Sequence, residues 1–239
     1  MKLPKGMAYG NWDFPSPTLK DLTLEIEICG NTERRPGRYF QLYDGGISGV
    51  ACYIGLQTDI AKPGSGLQGH GILFSRWKTR DSSNARVAAH GWIENSGHED
   101  DFIGIRALMP WSTGRYRCTL KVVDNDAYGV WYEFAVISHQ TNETFSAGSL
   151  RFSTAEINSG GGTWTEVYSY AQREEEVPET ELRVLSILAN DMKLPPIKCR
   201  VCYQAFSKSD AFVDHGKLIL RSGRNVERIH EAKHYDIDA

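Results

Sequence analysis

Between residues 22 and 170 the chain is cut into short runs of alternating apolar and polar residues, separated by glycine, asparagine, aspartate and proline. That rhythm constrains the fold more than any other feature. In Leu22–Cys29, Leu22, Leu24, Ile26 and Ile28 alternate with polar partners, the period of a half-buried strand. Runs of the same kind follow at Ala51–Gln57, Gly71–Trp77, Arg86–Ile93 and Phe102–Leu108. Arg115–Val123 and Val130–Ser138 flank Asp124–Gly129, the clearest hairpin signal in the chain. Ser149–Ser153 and Thr163–Tyr170 complete the series, on either side of Gly160–Gly162. Strands at this spacing predict an all-β chain, an antiparallel β-sandwich or jelly roll.

The pattern changes after Tyr170. Gln172–Glu176 is highly charged and Pro178 follows, which reads as a surface connection. The expected organisation is a β-sandwich domain over residues 1–172 and a small C-terminal extension, 173–239, packed on it. Within the extension, Thr180–Asn190 fits either a helical face through Leu182, Leu185 and Leu188 or a strand.

A length of 239 residues suffices for a full core. A formal charge of −3 lacks the basic excess of a nucleic-acid platform, so no nucleic-acid partner is expected. No run of about 18 apolar residues is present, so no membrane span is expected either. Met1–Trp12 lacks the apolar stretch of an export signal, which leaves the compartment open: cytoplasmic, or secreted with the signal removed. Five cysteines, Cys29, Cys52, Cys118, Cys199 and Cys202, make a poor disulfide framework.

The segment Tyr53–Asp59 (YIGLQTD), followed by Gly71–Trp77 (GILFSRW), resembles the paired strand signature of an uncharacterised bacterial family of lectin-like, concanavalin-like jelly-roll domains. Gly114–Val122 (GRYRCTLKV) and Tyr128–Phe134 (YGVWYEF) extend the likeness over roughly residues 22–170. The resemblance implies a jelly roll with a carbohydrate role and brings no catalytic residues with it.

A sugar site needs aromatic rings for stacking beside planar polar groups. Strand alternation puts Tyr53 and Gln57 on one face of their strand, His90 and Trp92 on one face of theirs, and Arg106 opposite Ile103 and Ile105. Tyr53, Gln57, His90, Trp92 and Arg106 are therefore the expected ligand-binding face, with Trp77, Trp131 and Trp164 in the core. The expected function is recognition of a poly- or oligosaccharide, with a polysaccharide lyase on the same face as the alternative. In that alternative, Arg106, Gln57, His90 and Tyr168 supply the required chemical types. The acidic run Glu99–Asp101 reads as a solvated loop, and whether the chain is an enzyme stays open.

No cofactor and no metal are expected. Asp124, Asp126 and Gly129 resemble part of a calcium loop, but a hairpin turn accounts for them. Cys199, Cys202, Phe206, Phe212 and His215 match a two-cysteine, two-histidine zinc finger up to its third ligand. The fourth ligand is missing at the required spacing, and only His230 or His234 lies beyond it. The alternative is that Cys199 and Cys202 are small residues of a strand running along the core.

Overall fold

A computed structural model of the protein describes residues 5–95, 101–169, 171, 173–204 and 208–237. Among these residues the strands are β1 (Lys5–Leu19), β2 (Leu22–Gly30), β3 (Gly37–Ile47), β4 (Val50–Ala61), β5 (Gln68–Trp77) and β6 (Ala85–Val87). They continue with β7 (Trp92–Glu94), β8 (Phe102–Leu108), β9 (Gly114–Asp126), β10 (Gly129–Ser138), β11 (Thr144–Phe152) and β12 (Ile157–Ser169). The tail supplies β13 (Thr180–Ala189), β14 (Lys198–Tyr203), β15 (Ser209–Asp214), β16 (Lys217–Ser222) and β17 (His234–Asp236).

The strands form two antiparallel sheets packed as a jelly-roll sandwich. One runs β17-β14-β1-β12-β3-β4-β5-β8-β7, the other β15-β16-β13-β2-β9-β10-β11-β6. Between them lies one core, to which each strand offers alternate residues. Leu22, Leu24, Ile26 and Ile28 come from β2, Cys52, Ile54 and Leu56 from β4, and Tyr132, Phe134 and Val136 from β10. No helix among the described residues is long and apolar enough to cross a membrane.

Three elements differ from the sequence expectation. β1 carries Pro15 and Pro17, yet it pairs on both sides; the prolines fall where its register with β12 shifts, between Asp13 and Thr18. Proline is tolerated there because a bulge releases its neighbours from the ladder. The run Arg86–Ile93, expected as one strand, is two: β6 pairs with β11 and β7 pairs with β8 in the opposite sheet. Gly91 sits in the crossing, where a Cβ would come within 3.1 Å of the Ala147 and Arg106 carbonyl oxygens. Finally, Trp131 is 3 % exposed but lies outside the core, on the outer face of its sheet under the Arg86 guanidinium, 3.8 Å from the ring centre.

The tail is woven into both sheets. β13 pairs with β2 along nearly its whole length, and β14 pairs with β1. Residue 172 thus falls between strands that share one core. Leu182, Val184, Ile187, Leu218 and Leu220 are each at most 3 % exposed. Side chains of this kind contribute about 1.5–3 kcal/mol each, and five of them match the whole stability of an ordinary domain, about 5–15 kcal/mol. A chain ending at Ala171 is therefore expected to lose its cooperative thermal transition in circular dichroism. A retained transition would establish residues 1–171 as an autonomous unit.

Candidate functional site

A cleft of about 450 Å³ opens on the face of the nine-stranded sheet that points away from the core. Its floor follows from register. Glu166 of β12 stands opposite Tyr39 of β3, which stands opposite Gln57 of β4. In the next row Trp164 faces Gln41 and Gln41 faces Gly55. In a third, Asp44 faces Tyr53 and Tyr53 faces Ser75. Trp77, Arg106 and Tyr168 complete the lining.

Plain alternation sends Gln41 and Asp44, three residues apart, to opposite faces. A bulge brings them together. Gln41 pairs with Gly55 while Tyr43 pairs with Ile54, so Leu42 is an extra residue. Leu42 and Tyr43 then both enter the core, at 0 % and 2 % exposure. Bulges re-aim side chains in this way and are frequent beside active sites. Gly55 makes the room: a Cβ there would lie 2.4 Å from the Tyr39 ring and from the Phe40 carbonyl oxygen.

The cleft is polar and incompletely satisfied. Gln41 is 1 % exposed, and its amide nitrogen has no hydrogen-bond partner among the described residues. The Tyr39 hydroxyl and the Trp164 indole N–H are also buried without a partner there. Burial, with Tyr53 and Glu166 adding negative charge, holds the Tyr39 phenol well above its usual range. Burial likewise pushes Tyr9, on the far side of Trp164, up to about 12, with help from Glu166. Burial raises the Asp44 carboxyl to about 6, against a smaller downward pull from the Gln41 amide. Unpaired buried donors are rare in folded proteins, and several converging on one cleft mark a place where a ligand supplies the acceptors.

Of the residues expected from sequence, Tyr53, Gln57 and Arg106 line this cleft. Arg106 donates to Gln57 Oε1 at 3.0 Å and lies 2.5 Å from Glu94 Oε2. Trp92 stands opposite Arg106 on the edge strand β7 but is 6 % exposed. His90 is exposed in the turn between β6 and β7 and is not part of the lining. Trp77 and Trp164, expected in the core, are half-buried walls of the cleft. Sequence reasoning missed Gln41, Asp44 and Glu166. The first two sit on a strand whose alternation the bulge interrupts. Glu166 lies in the run Thr163–Tyr170, whose outward face, Trp164, Glu166 and Tyr168, was open to inspection.

The candidate metal ligands are not brought together. Cys199 is buried against the core, Cys202 points to the other face of β14, and His215 is exposed at the β15–β16 turn. Phe206, Glu99 and Asp100 lie outside the described residues. Among the described residues no three His, Cys, Asp or Glu side chains group as a metal site. In the β9–β10 hairpin, Asp124 binds Arg86 at 2.5 Å, and Asp126 accepts from the Tyr128 N–H and the Trp131 indole, both at 2.8 Å.

No protein-family model matches the chain, and no curated protein sequence does. Among solved structures it is similar to Scytalido-glutamic peptidase bound to a peptide based transition state analog, at TM-score 0.48 and 9% identity, over 93% of this chain and 100% of that one. It is also similar to SCP-B, a member of the Eqolisin family of peptidases in complex with a tripeptide, at TM-score 0.45 and 7% identity, over 92% and 98%. At these scores the likeness transfers no residue of the cleft. The expected carbohydrate-binding function, with a polysaccharide lyase as its alternative, is corrected by these findings: the similar structures are peptidases with peptide-type ligands. The jelly-roll sandwich stands; the lectin-like specificity does not.

Two outcomes follow for stability. Trp92→Ala is expected to cost about 3 kcal/mol or more in chemical denaturation, as for a buried aromatic. A folded-state value above the ordinary one means that Asp44 takes up a proton on folding. Its contribution to stability is full below pH 3.8 and is lost as the pH rises through about 6. Asp44→Asn should therefore raise the melting temperature relative to the parent at pH 7 more than at pH 3.

Proposed function

We propose that this chain hydrolyses peptide bonds in the cleft, with Glu166 as the acid–base residue and Gln41 as the donor to the developing oxyanion. One observation carries the reading: the buried Gln41 amide has an unpartnered N–H and lines the same cleft as the Glu166 carboxyl on the neighbouring strand. The two are diagonal neighbours, a spacing of roughly 7–8 Å. A substrate carbonyl and an attacking water fill such a gap.

The chemistry closes with these groups. The Glu166 carboxylate takes a proton from water as the water oxygen bonds to the carbonyl carbon. The carbonyl oxygen becomes an oxyanion and is met by the Gln41 N–H, with the Tyr39 hydroxyl as a second donor. When the C–N bond breaks, the protonated Glu166 returns its proton to the leaving nitrogen. The products are a carboxylic acid and an amine, and the carboxylate is regenerated. Amide hydrolysis suits a single carboxyl that serves first as base and then as acid. Tyr53, Gln57 and Arg106 are proposed to contact the substrate on either side, and Trp92 to support Arg106 from the edge strand.

Cleavage of a peptide library across pH 3–7, read by mass spectrometry, tests this. Glu166→Gln is expected to lower kcat by about 10²–10⁴-fold. Gln41→Leu should lower it by about 10²–10³-fold with a smaller change in KM. Absence of cleavage by the parent, or equal cleavage by Glu166→Gln, would sink the proposal.

A further inference from the structure

Asp44 plays no part in that chemistry. It pairs with Gly162 on β12, while Glu166 stands four residues further along the same strand. At about 3.3 Å per residue their backbone positions are roughly 13 Å apart along the strand. Asp44 is nonetheless a half-buried carboxyl inside the cleft, and no cation pairs with it among the described residues. Arg106, the cation of the lining, is engaged by Gln57 and Glu94. A carboxyl withdrawn from water with no counter-charge is costly and is seldom kept without use.

Its surroundings name a partner. Tyr53 stands directly opposite Asp44, and its ring lies 4.9 Å from that of Trp77 at an interplanar angle of 59°. The Tyr39 ring lies 5.8 Å from Tyr53 on the other side, at 63°. The inclined rings make an aromatic notch beside the carboxyl. Aromatic faces attract cations, most strongly where water is excluded. A metal ion fits poorly, because a hard cation wants six or more oxygen ligands and one carboxyl is on offer. The Gln41 amide reaches the Asp44 carboxyl and offsets part of its desolvation, but it brings no positive charge to it.

We infer that the Asp44 end of the cleft is a subsite for a cationic side chain, lysine or arginine, held by the Asp44 carboxylate against the rings of Tyr53 and Trp77. That the cation belongs to a peptide rests on the hydrolase reading; that a cation binds does not. The desolvation that raises the Asp44 carboxyl is relieved when the cation arrives, so binding is stronger above about pH 6, where the carboxyl is ionised.

The test uses two otherwise identical peptides, one with lysine and one with its neutral isostere norleucine. Their binding to Glu166→Gln at pH 7 is read by tryptophan fluorescence, and their cleavage by the parent is followed in parallel. The lysine peptide is expected to bind at least tenfold more tightly. That ratio should fall towards one when Asp44→Asn is added, and should shrink when Trp77→Leu is added instead, a second route should the first variant fold poorly. Equal binding of the two peptides, or a ratio unchanged by both variants, would overturn the subsite, whatever is cleaved. Lysine-preferring binding by a protein that cleaves neither peptide would overturn the hydrolase reading and leave the subsite standing.

Discussion

Arg38 is the largest of the fully buried side chains, at 1 % exposure, and the cleft is built from the strand that begins beside it. Burial lowers its guanidinium to about 10, and no carboxylate pairs with it among the described residues. Its charge is met by main-chain carbonyls instead. Nη1 donates to Asn31 O, in the loop leading into β3, and Nη2 donates to Pro178 O at 2.8 Å, just before β13. The Arg38 backbone N–H is held by Thr58 Oγ1 at 2.8 Å. One residue thus ties the start of β3 to β4 through its backbone and to the segment that delivers the tail through its side chain. Charge-assisted hydrogen bonds of this kind are roughly twice as strong as neutral ones, which offsets part of the desolvation of a buried cation.

From that anchor the cleft is a matter of counting. Tyr39 and Gln41 follow at alternate positions, and the extra residue at Leu42 resets the count so that Asp44 joins them. The Tyr43 hydroxyl donates to Asn158 O at 3.1 Å, tying the strand beyond the bulge to β12. Without the extra residue, Asp44 would enter an apolar core, where an unpaired carboxyl is far more costly. The bulge therefore decides both where the carboxyl can exist and what it faces. The register of β3 on β4 sets where Gln41 and Asp44 stand relative to one another.

Most of the strand positions were legible because period-two alternation survives wherever a strand is regular. The runs at β2, β4, β5, β8 and β10 were visible, and so was the face that Tyr53 and Gln57 share. Signals failed where the backbone departs from regularity. Proline at 15 and 17 hid β1, and glycine at 37, 45 and 46 with a bulge at Leu42 hid β3. The bulge in β3 is also the departure that shapes the cleft's floor, so Gln41 and Asp44 were the least readable residues of the site. Tyr53, Gln57 and Arg106 were readable because β4 and β8 are straight through those positions. Trp77 and Trp164 misled for a different reason: an indole reads as core by hydrophobicity, and its lining of an open cleft depends on which face its strand presents.

Stability and use pull the cleft in opposite directions. Gln41, Tyr39 and Trp164 each withhold a donor from water with no partner among the described residues, at a cost of about 1–3 kcal/mol apiece. The outer face of the other sheet shows the alternative. There Glu25, Glu27, Arg115, Arg117 and Arg183 satisfy one another across neighbouring strands, with Glu27 meeting both Arg115 at 3.0 Å and Arg183 at 3.1 Å. The same fold closes charged groups on one another on that face and leaves several buried donors of the cleft without a partner among the described residues. A surface selected only for solubility has no reason to differ in this way. The asymmetry is what a binding face requires, because buried donors already held in place by the sheet need little rearrangement to meet a substrate's acceptors.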